Sequence, residues 1–187
     1  TVMQPLQRDY GITEERIQNM LQLTAIKNFY DEAKVHELEN SDAKLSAKDA
    51  KKLAKYKKNQ SAYEQMMTTL KDNVSDKLWM SPEDFEPVLH SLLDGIIDKK
   101  LFNKVMDGLS QMDKHAEIQH DRKDNILYDK DTSDTEIVNI DEPINDYMQK
   151  EVLPFVPDAK AFFDEDLSKK KPIIKTGAEI PFTRYFY

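Results

Sequence analysis

Only four glycines occur in the 187 residues, Gly11, Gly95, Gly108 and Gly177, and no two lie near each other. Glycine reaches left-handed backbone without steric cost and lets a main chain approach a ligand or another element closely. A chain this poor in glycine has little material for tight turns, and its many long charged side chains favour helix. A helix-rich fold is therefore expected. The same scarcity excludes whole classes of nucleotide and S-adenosylmethionine site, because neither a G-x-G nor a P-loop pattern is present.

Helix signals follow one another along the first 112 residues. Thr13 reads as an N-cap, with Glu14 and Glu15 in the first turn, where the helix dipole favours them, and Ile12 and Ile17 flanking as a staple. The spacing predicts a helix over 13–33. Residues 36–47 read as a polar link. From Ser46 to about 73, Leu53, Tyr56, Gln60, Tyr63, Met67, Leu70 and Val74 recur at steps of three and four, a seam for packing against another helix. Ser81, Pro82, Glu83 and Asp84 open a helix expected to run to 97, with Pro87 either bending it or marking a later start. Asp98 caps a last helix, over 98–112, whose core side is Leu101, Phe102, Val105, Met106 and Leu109.

Sheet signals sit at the two ends. Val2, Met3 and Leu6 suit a strand over 1–8, with Pro5 preferring an edge, yet no sheet follows to receive it. After residue 113, a hairpin or loop is expected around Asp124–Asn125, a strand over "TEIVNI", and a short helix from Pro143 to Pro154. β-rich residues surround Gly177. The fold class is therefore mainly α with a small β component: a helical bundle over 11–112 followed by a small α/β cap over 113–187.

Charge narrows the function classes. The net charge of −8 argues against nonspecific coating of nucleic acid by the molecule as a whole. One stretch reverses it: "KLSAKDAKKLAKYKK", residues 44–58, holds seven lysines and one aspartate. Lys44, Lys48, Lys51, Lys55 and Lys58 share a face if the helix starts early enough, and Lys48, Lys51, Lys52 and Lys55 are candidate contacts for DNA phosphates. The competing reading is a solvated face in a lysine-rich acidic chain. Cysteine is absent, which removes disulfides, thiol nucleophiles and thiolate metal sites. No apolar run approaches the length of a membrane span, and no signal peptide is recognisable.

Catalytic constellations are thin. His115 and His120 flank Glu117, but at no spacing of a helical metal pair, and read as surface histidines. Asp129, Asp131 and Asp134 lack the glycine and terminal glutamate of a calcium loop. No Asn-Pro-Pro or Asp-Pro-Pro stretch of the kind that holds an amino group for methylation occurs. No catalytic, cofactor-binding or metal-binding residue is assigned. The aromatic run Phe182, Tyr185, Phe186 and Tyr187, with Arg184 among it, reads as packing or edge-strand material rather than a base-stacking platform.

Three ordered blocks carry a resemblance: "DTEIVNI", then "INDYMQKEVLPFVPDA", then "KTGAEIPFTRYFY". They resemble the C-terminal part of the methylation (M) subunit of type I restriction–modification systems. That family has an aspartate–threonine–glutamate leading into valine–proline–leucine, a helix ending in E-V-L-P-x-x-P-D-A, and a glycine followed by E-I-x-F-T-R-x-F-Y. "QPLQRDYGITEERIQNM" and "SQMDKHAEIQHDRKDN" resemble upstream pieces of the same subunit more weakly, and residues 34–97 carry little of its wording. Departures are Val138-Asn139-Ile140 for valine–proline–leucine, Lys160 for the usual tryptophan, the insertion "AFFDEDLSKKKP", and Ala178 where tyrosine is common.

The resemblance implies a specific setting. The parent subunit would be an S-adenosylmethionine-dependent adenine-N6 DNA methyltransferase of the prokaryotic cytoplasm. Its partners would be a specificity (S) subunit, a restriction (R) subunit and double-stranded DNA. The cofactor loop and N-P-P-[FY] motif would precede these residues, so this region would bind no cofactor and be inactive alone. Residues 1–10 would be the last strand of the missing catalytic sheet, and a further helical tail would follow Tyr187. Phe182, Arg184, Tyr185, Phe186 and Tyr187 are then candidate subunit contacts. The alternative is an acidic helical protein-interaction module unrelated to DNA modification.

Overall fold

The computed structural model describes residues 1–41, 45–139, 141–163, 165–166 and 173–174. The chain is mainly helical with a small β component, as expected. It divides into two compact units, one formed by residues 7–117 and the other by residues 1–6 together with 118–187.

The first unit is helical. Its elements are β2 (Arg8–Tyr10), α1 (Glu14–Gln22), α2 (Thr24–Phe29), α3 (Glu32–Glu39), α4 (Ala47–Asp72), α5 (Pro82–Leu93), α6 (Lys99–Gly108) and β3 (Ser110–Met112). Each of the cap residues expected from sequence closes its helix. Thr13, Ser46, Ser81 and Asp98 accept from the main-chain N–H three residues on, at 3.2, 3.1, 3.3 and 2.8 Å. α5 begins at Pro82 and runs through Pro87.

Three expected helices are corrected. The helix expected to run to 97 ends at Leu93, before Asp94 and the left-handed Gly95 with φ of 74°. The helix predicted over 13–33 is three helices, because Leu23 and Tyr30 are extended, with ψ of 131° and 137°. Tyr30 leaves helical geometry to bury its ring against Tyr63, with centroids 4.6 Å apart, and Asp31 recaps the chain by accepting from the Lys34 amide. The predicted polar link starts inside α3, where Val35 and Leu38 are buried. The helix predicted over 98–112 ends at Gly108, because Ser110–Met112 pairs antiparallel with Arg8–Tyr10 instead.

The larger of two buried clusters in this unit is drawn from α1, α2, α4, α5, α6 and the segments beside them, with Met20, Met66, Leu70, Phe85, Leu89, Val105 and Leu109 fully enclosed. Tyr10 stacks on Phe85, Trp79 tilts against the same ring, and the Tyr10 and Trp79 backbones exchange two hydrogen bonds of 2.8 Å. Gly108 sits where α6 crosses α1. A Cβ built there would lie 2.8 Å from Cα, Cβ and Cγ of Met20, so the helices approach as closely as they do only because position 108 has no side chain.

The second unit holds the sheet. β1 (Val2–Pro5) lies between β4 (Tyr128–Asp134) and β5 (Lys160–Ala161), antiparallel to both. The strand that the sequence left without a partner thus finds both neighbours in its own chain, far along it. β5 reaches Val2 and Met3 and stops short of Pro5, whose missing N–H therefore interrupts no ladder on that side. The β4 register slips between Val2↔Asp134 and Gln4↔Asp129, and the Gln4 amide donates to Thr132 Oγ1 at 3.0 Å across the bulge.

Of the hairpin or loop expected around Asp124–Asn125, the chain forms the hairpin, closed by an antiparallel bridge between His120 and Ile126. Asp124 takes φ of 65°, and Asp121 Oδ1 accepts from the Lys123 and Asn125 amides at 2.8 and 2.9 Å. The strand expected over "TEIVNI" lies earlier, in Tyr128–Asp134: of that stretch, residues 135–139 have no regular structure and Ile140 falls outside the described residues. α7 (Ile144–Tyr147) continues as a π-helical turn, Met148–Val152, before Pro154. β6 (Glu165–Asp166) pairs with β7 (Ile173–Ile174). The block "GAEIPFTRYFY" lies outside the described residues. No described helix is long and apolar enough to cross a membrane.

Candidate nucleic-acid interface

The lysine stretch forms the first half of α4. Ser46 and Asp49 cap each other, the Ser46 hydroxyl donating to Asp49 Oδ2 at 2.6 Å while the Asp49 amide donates to Ser46 Oγ. This starts the helix early enough to align Lys48, Lys51, Lys52, Lys55 and Lys58, three and four residues apart, along one stripe. At a 1.5 Å rise per residue, Lys48 and Lys58 are about 15 Å apart along the axis. Lys48, Lys51, Lys55 and Lys58 are exposed and Lys52 half-buried. Among the described residues none of the five enters an ion pair, whereas Lys57, turned away from the stripe, pairs with Glu39 at 2.8 Å. Lys44 lies outside the described residues.

The other side of this half-helix is anchored to α2 and α3. Tyr56, 1% exposed, donates its hydroxyl to the Lys27 carbonyl at 3.1 Å, and Asn59 Nδ2 donates to the Phe29 carbonyl at 2.8 Å. Those acceptors are free because the chain stops being helical at Tyr30. Tyr30, Val35 and Tyr56 form a small buried cluster with Phe29, Leu53 and Tyr63 against it. Burial pushes the Tyr30 phenol up, with Glu32, Glu64 and Glu39 adding to the effect. Lys52 Nζ lies 5.5 Å from the Tyr56 ring centroid, a cation–π contact that fixes the stem of that lysine. The anchoring roles of Tyr56 and Asn59 were missed in the sequence. Tyr56 looked like one more seam residue, and Asn59 gave no signal because its acceptor depends on the break at Tyr30.

The remaining candidates do not gather into a site. The His115 ring meets Asp113 Oδ1 at 2.9 Å, and the His115 amide and ring hold the Asp113 carboxyl below the usual range. Asp129 is buried and its Oδ1 accepts from the Asp131 amide at 3.0 Å, stabilising the bulge. Among the described residues no group of three or more side chains is arranged to hold a metal ion. A shallow, solvent-open hollow lined by Ser61, Glu64, Gln65, Thr68, Thr69 and Ile96 lies beside the second half of α4. Tyr147 donates to Glu136, which pushes its phenol up to about 12. Phe182, Arg184, Tyr185, Phe186 and Tyr187 lie outside the described residues.

Compared with protein-family models, curated proteins and solved structures, the chain finds no match.

Proposed function

We propose that this chain is the C-terminal region of the methylation subunit of a type I restriction–modification system, without catalytic residues of its own. It serves assembly with the specificity subunit and contacts the phosphates of double-stranded DNA through Lys48, Lys51, Lys52 and Lys55. The observation that carries the DNA contact is the stripe of lysines on α4, Lys48, Lys51, Lys55 and Lys58 exposed and Lys52 half-buried, none in an ion pair among the described residues, in a chain of net charge −8. Membership of the family is supported by the three ordered blocks of sequence alone. On this reading the parent subunit methylates adenine N6 with S-adenosylmethionine in the prokaryotic cytoplasm, the restriction subunit joins the same assembly, and Phe182, Arg184, Tyr185, Phe186 and Tyr187 face a partner subunit.

A duplex-binding titration at low salt tests the DNA contact. The wild-type chain binds, and the combined Lys51→Glu, Lys52→Glu and Lys55→Glu changes abolish binding while the helical circular dichroism stays the same. Absence of binding by the wild type favours the acidic interaction module instead. Calorimetry with S-adenosylmethionine tests the placement of the active site elsewhere: no heat is expected, and micromolar affinity would overturn it.

A further inference from the structure

We infer that β1 is an exchangeable strand, and that a second copy of this chain fills the slot between β4 and β5 by donating its own β1. The inference is independent of the proposed family and of the DNA contact. In the β4-β1-β5 sheet β1 is the middle strand, so its place cannot stand empty without leaving two strands unpaired. Among the described residues, the strand partners of Val2–Pro5 all lie in 128–134 and 160–161. The flanking residues are held in the same way. Thr1 and Phe162 exchange main-chain hydrogen bonds of 3.0 and 2.7 Å, and Leu6 donates to the Leu127 carbonyl at 2.8 Å and accepts from the Gln119 amide at 2.9 Å. These contacts all belong to one unit, and their chemistry is the same whichever copy brings the strand.

The grip on β1 is shallow. Of residues 1–6 Pro5 is buried, and the other five are half-buried. Pro5 has no N–H to give, and the bulge opposite interrupts the β4 ladder between Val2 and Gln4. Few main-chain bonds and little buried apolar surface mark the segments that open most easily. Opening leaves the helical unit whole, because both of its buried clusters are drawn from residues between Tyr10 and Leu109. The pivot is a single peptide bond. Leu6 is bonded to residues 119 and 127, whereas the Gln7 carbonyl accepts from the Asp113 amide at 3.2 Å and its side chain donates to the Ala116 carbonyl at 2.9 Å. Residues 1–6 can therefore leave as a block. Exchange restores every strand contact in the second copy, so its cost is confined to the pivot and to association, and chain concentration sets the balance. Reciprocal exchange closes into a two-fold dimer.

The chain has no cysteine, so a pair of introduced thiols reports the exchange without interference. Thr1–Phe162 is a hydrogen-bonded pair, which makes the next pair, Val2–Ala161, the close, non-hydrogen-bonded kind, with Cα atoms about 4.5 Å apart and within reach of a disulfide. The full chain carrying Val2→Cys and Ala161→Cys is prepared in isotope-labelled and unlabelled form. The two are mixed, unfolded, refolded together over a range of concentrations and oxidised, and the bridged peptide is weighed. The expected result is a bridge between positions 2 and 161 that joins labelled to unlabelled chain, in a covalent dimer whose share rises with refolding concentration. The unchanged chain is expected to show the same concentration-dependent dimer by light scattering. A bridge confined to single copies at every concentration overturns the inference, even if a dimer is present, since association would then use another surface. An unchanged chain that stays monomeric overturns it as well. Met3→Cys with Lys160→Cys, the following pair in register, repeats the test if the first variant loses its helical circular dichroism.

Discussion

Arg16 Nη2 donates to Asp9 Oδ1 at 2.7 Å, with the two side chains 8% and 6% exposed. Arg16 Nη1 also donates to the Leu109 carbonyl at 3.2 Å, so one guanidinium ties β2, α1 and the end of α6 together. A buried cation left without its carboxylate is strongly destabilising, because the desolvation cost remains while the Coulombic gain is lost. Asp9→Ala is expected to lower the unfolding free energy by about 3–5 kcal/mol, read from urea denaturation followed at Trp79. A loss under about 1 kcal/mol would mean that the Leu109 carbonyl suffices as a partner, in the range of a single hydrogen bond.

The crossing of α1 and α6 predicts a second stability effect. Gly108→Ala puts a methyl group 2.8 Å from the Cα and Cβ of Met20. Overpacking of this kind costs about 1–3 kcal/mol, despite the better helix propensity of alanine. Since the clash includes Cα, Met20→Ala in the same chain does not relieve it. Thermal unfolding of the single and double variants checks both statements, and recovery in the double variant would show that only the flexible end of Met20 was in the way.

Helix starts were legible because they are local. Ser46, Ser81 and Asp98 each satisfy an amide three residues away, and that chemistry is written in sequence order. The breaks at Leu23 and Tyr30 were not legible, since Tyr30 is drawn out of the helix by Tyr56 and Tyr63, more than twenty residues on. Met66 was missed beside the expected Met67 because α4 packs against α2 and α3 on one side and α5 on another, which widens its buried face beyond a single seam. The partners of β1 were hidden for the same reason: β4 and β5 lie more than 120 residues away. The lysine stripe was readable from spacing once Ser46 fixed where the helix begins. What could not be read was which lysine the fold would neutralise, since the Glu39 that takes Lys57 lies on α3, in a stretch expected in part to be a link.

The hairpin around Asp124 carries a pH dependence. The Asp121 carboxylate accepts from the Asn125 side chain first, then from the Asn125 and Lys123 amides, which hold its pKa below the ordinary 3.8. A depressed carboxyl contributes stability that is present above the unfolded pKa and lost as pH falls through the folded one. The hairpin is therefore intact at neutral pH and loosens only below the ordinary carboxylate range. An NMR titration of the Asp121 carboxyl carbon should give a midpoint under 3.8, rising toward that value in Asn125→Ala. A midpoint at or above it in the unchanged chain would contradict the hydrogen-bond assignment.

The salt dependence of duplex binding tests the lysine stripe most directly. Each lysine–phosphate contact releases counterions and contributes about 0.9 to the slope of log affinity against log salt. Replacing Lys51, Lys52 and Lys55 together with alanine is predicted to flatten that slope by up to about 2.7, with the helical content unchanged. A slope identical to that of the unchanged chain would contradict the assignment of α4 as the surface that meets DNA.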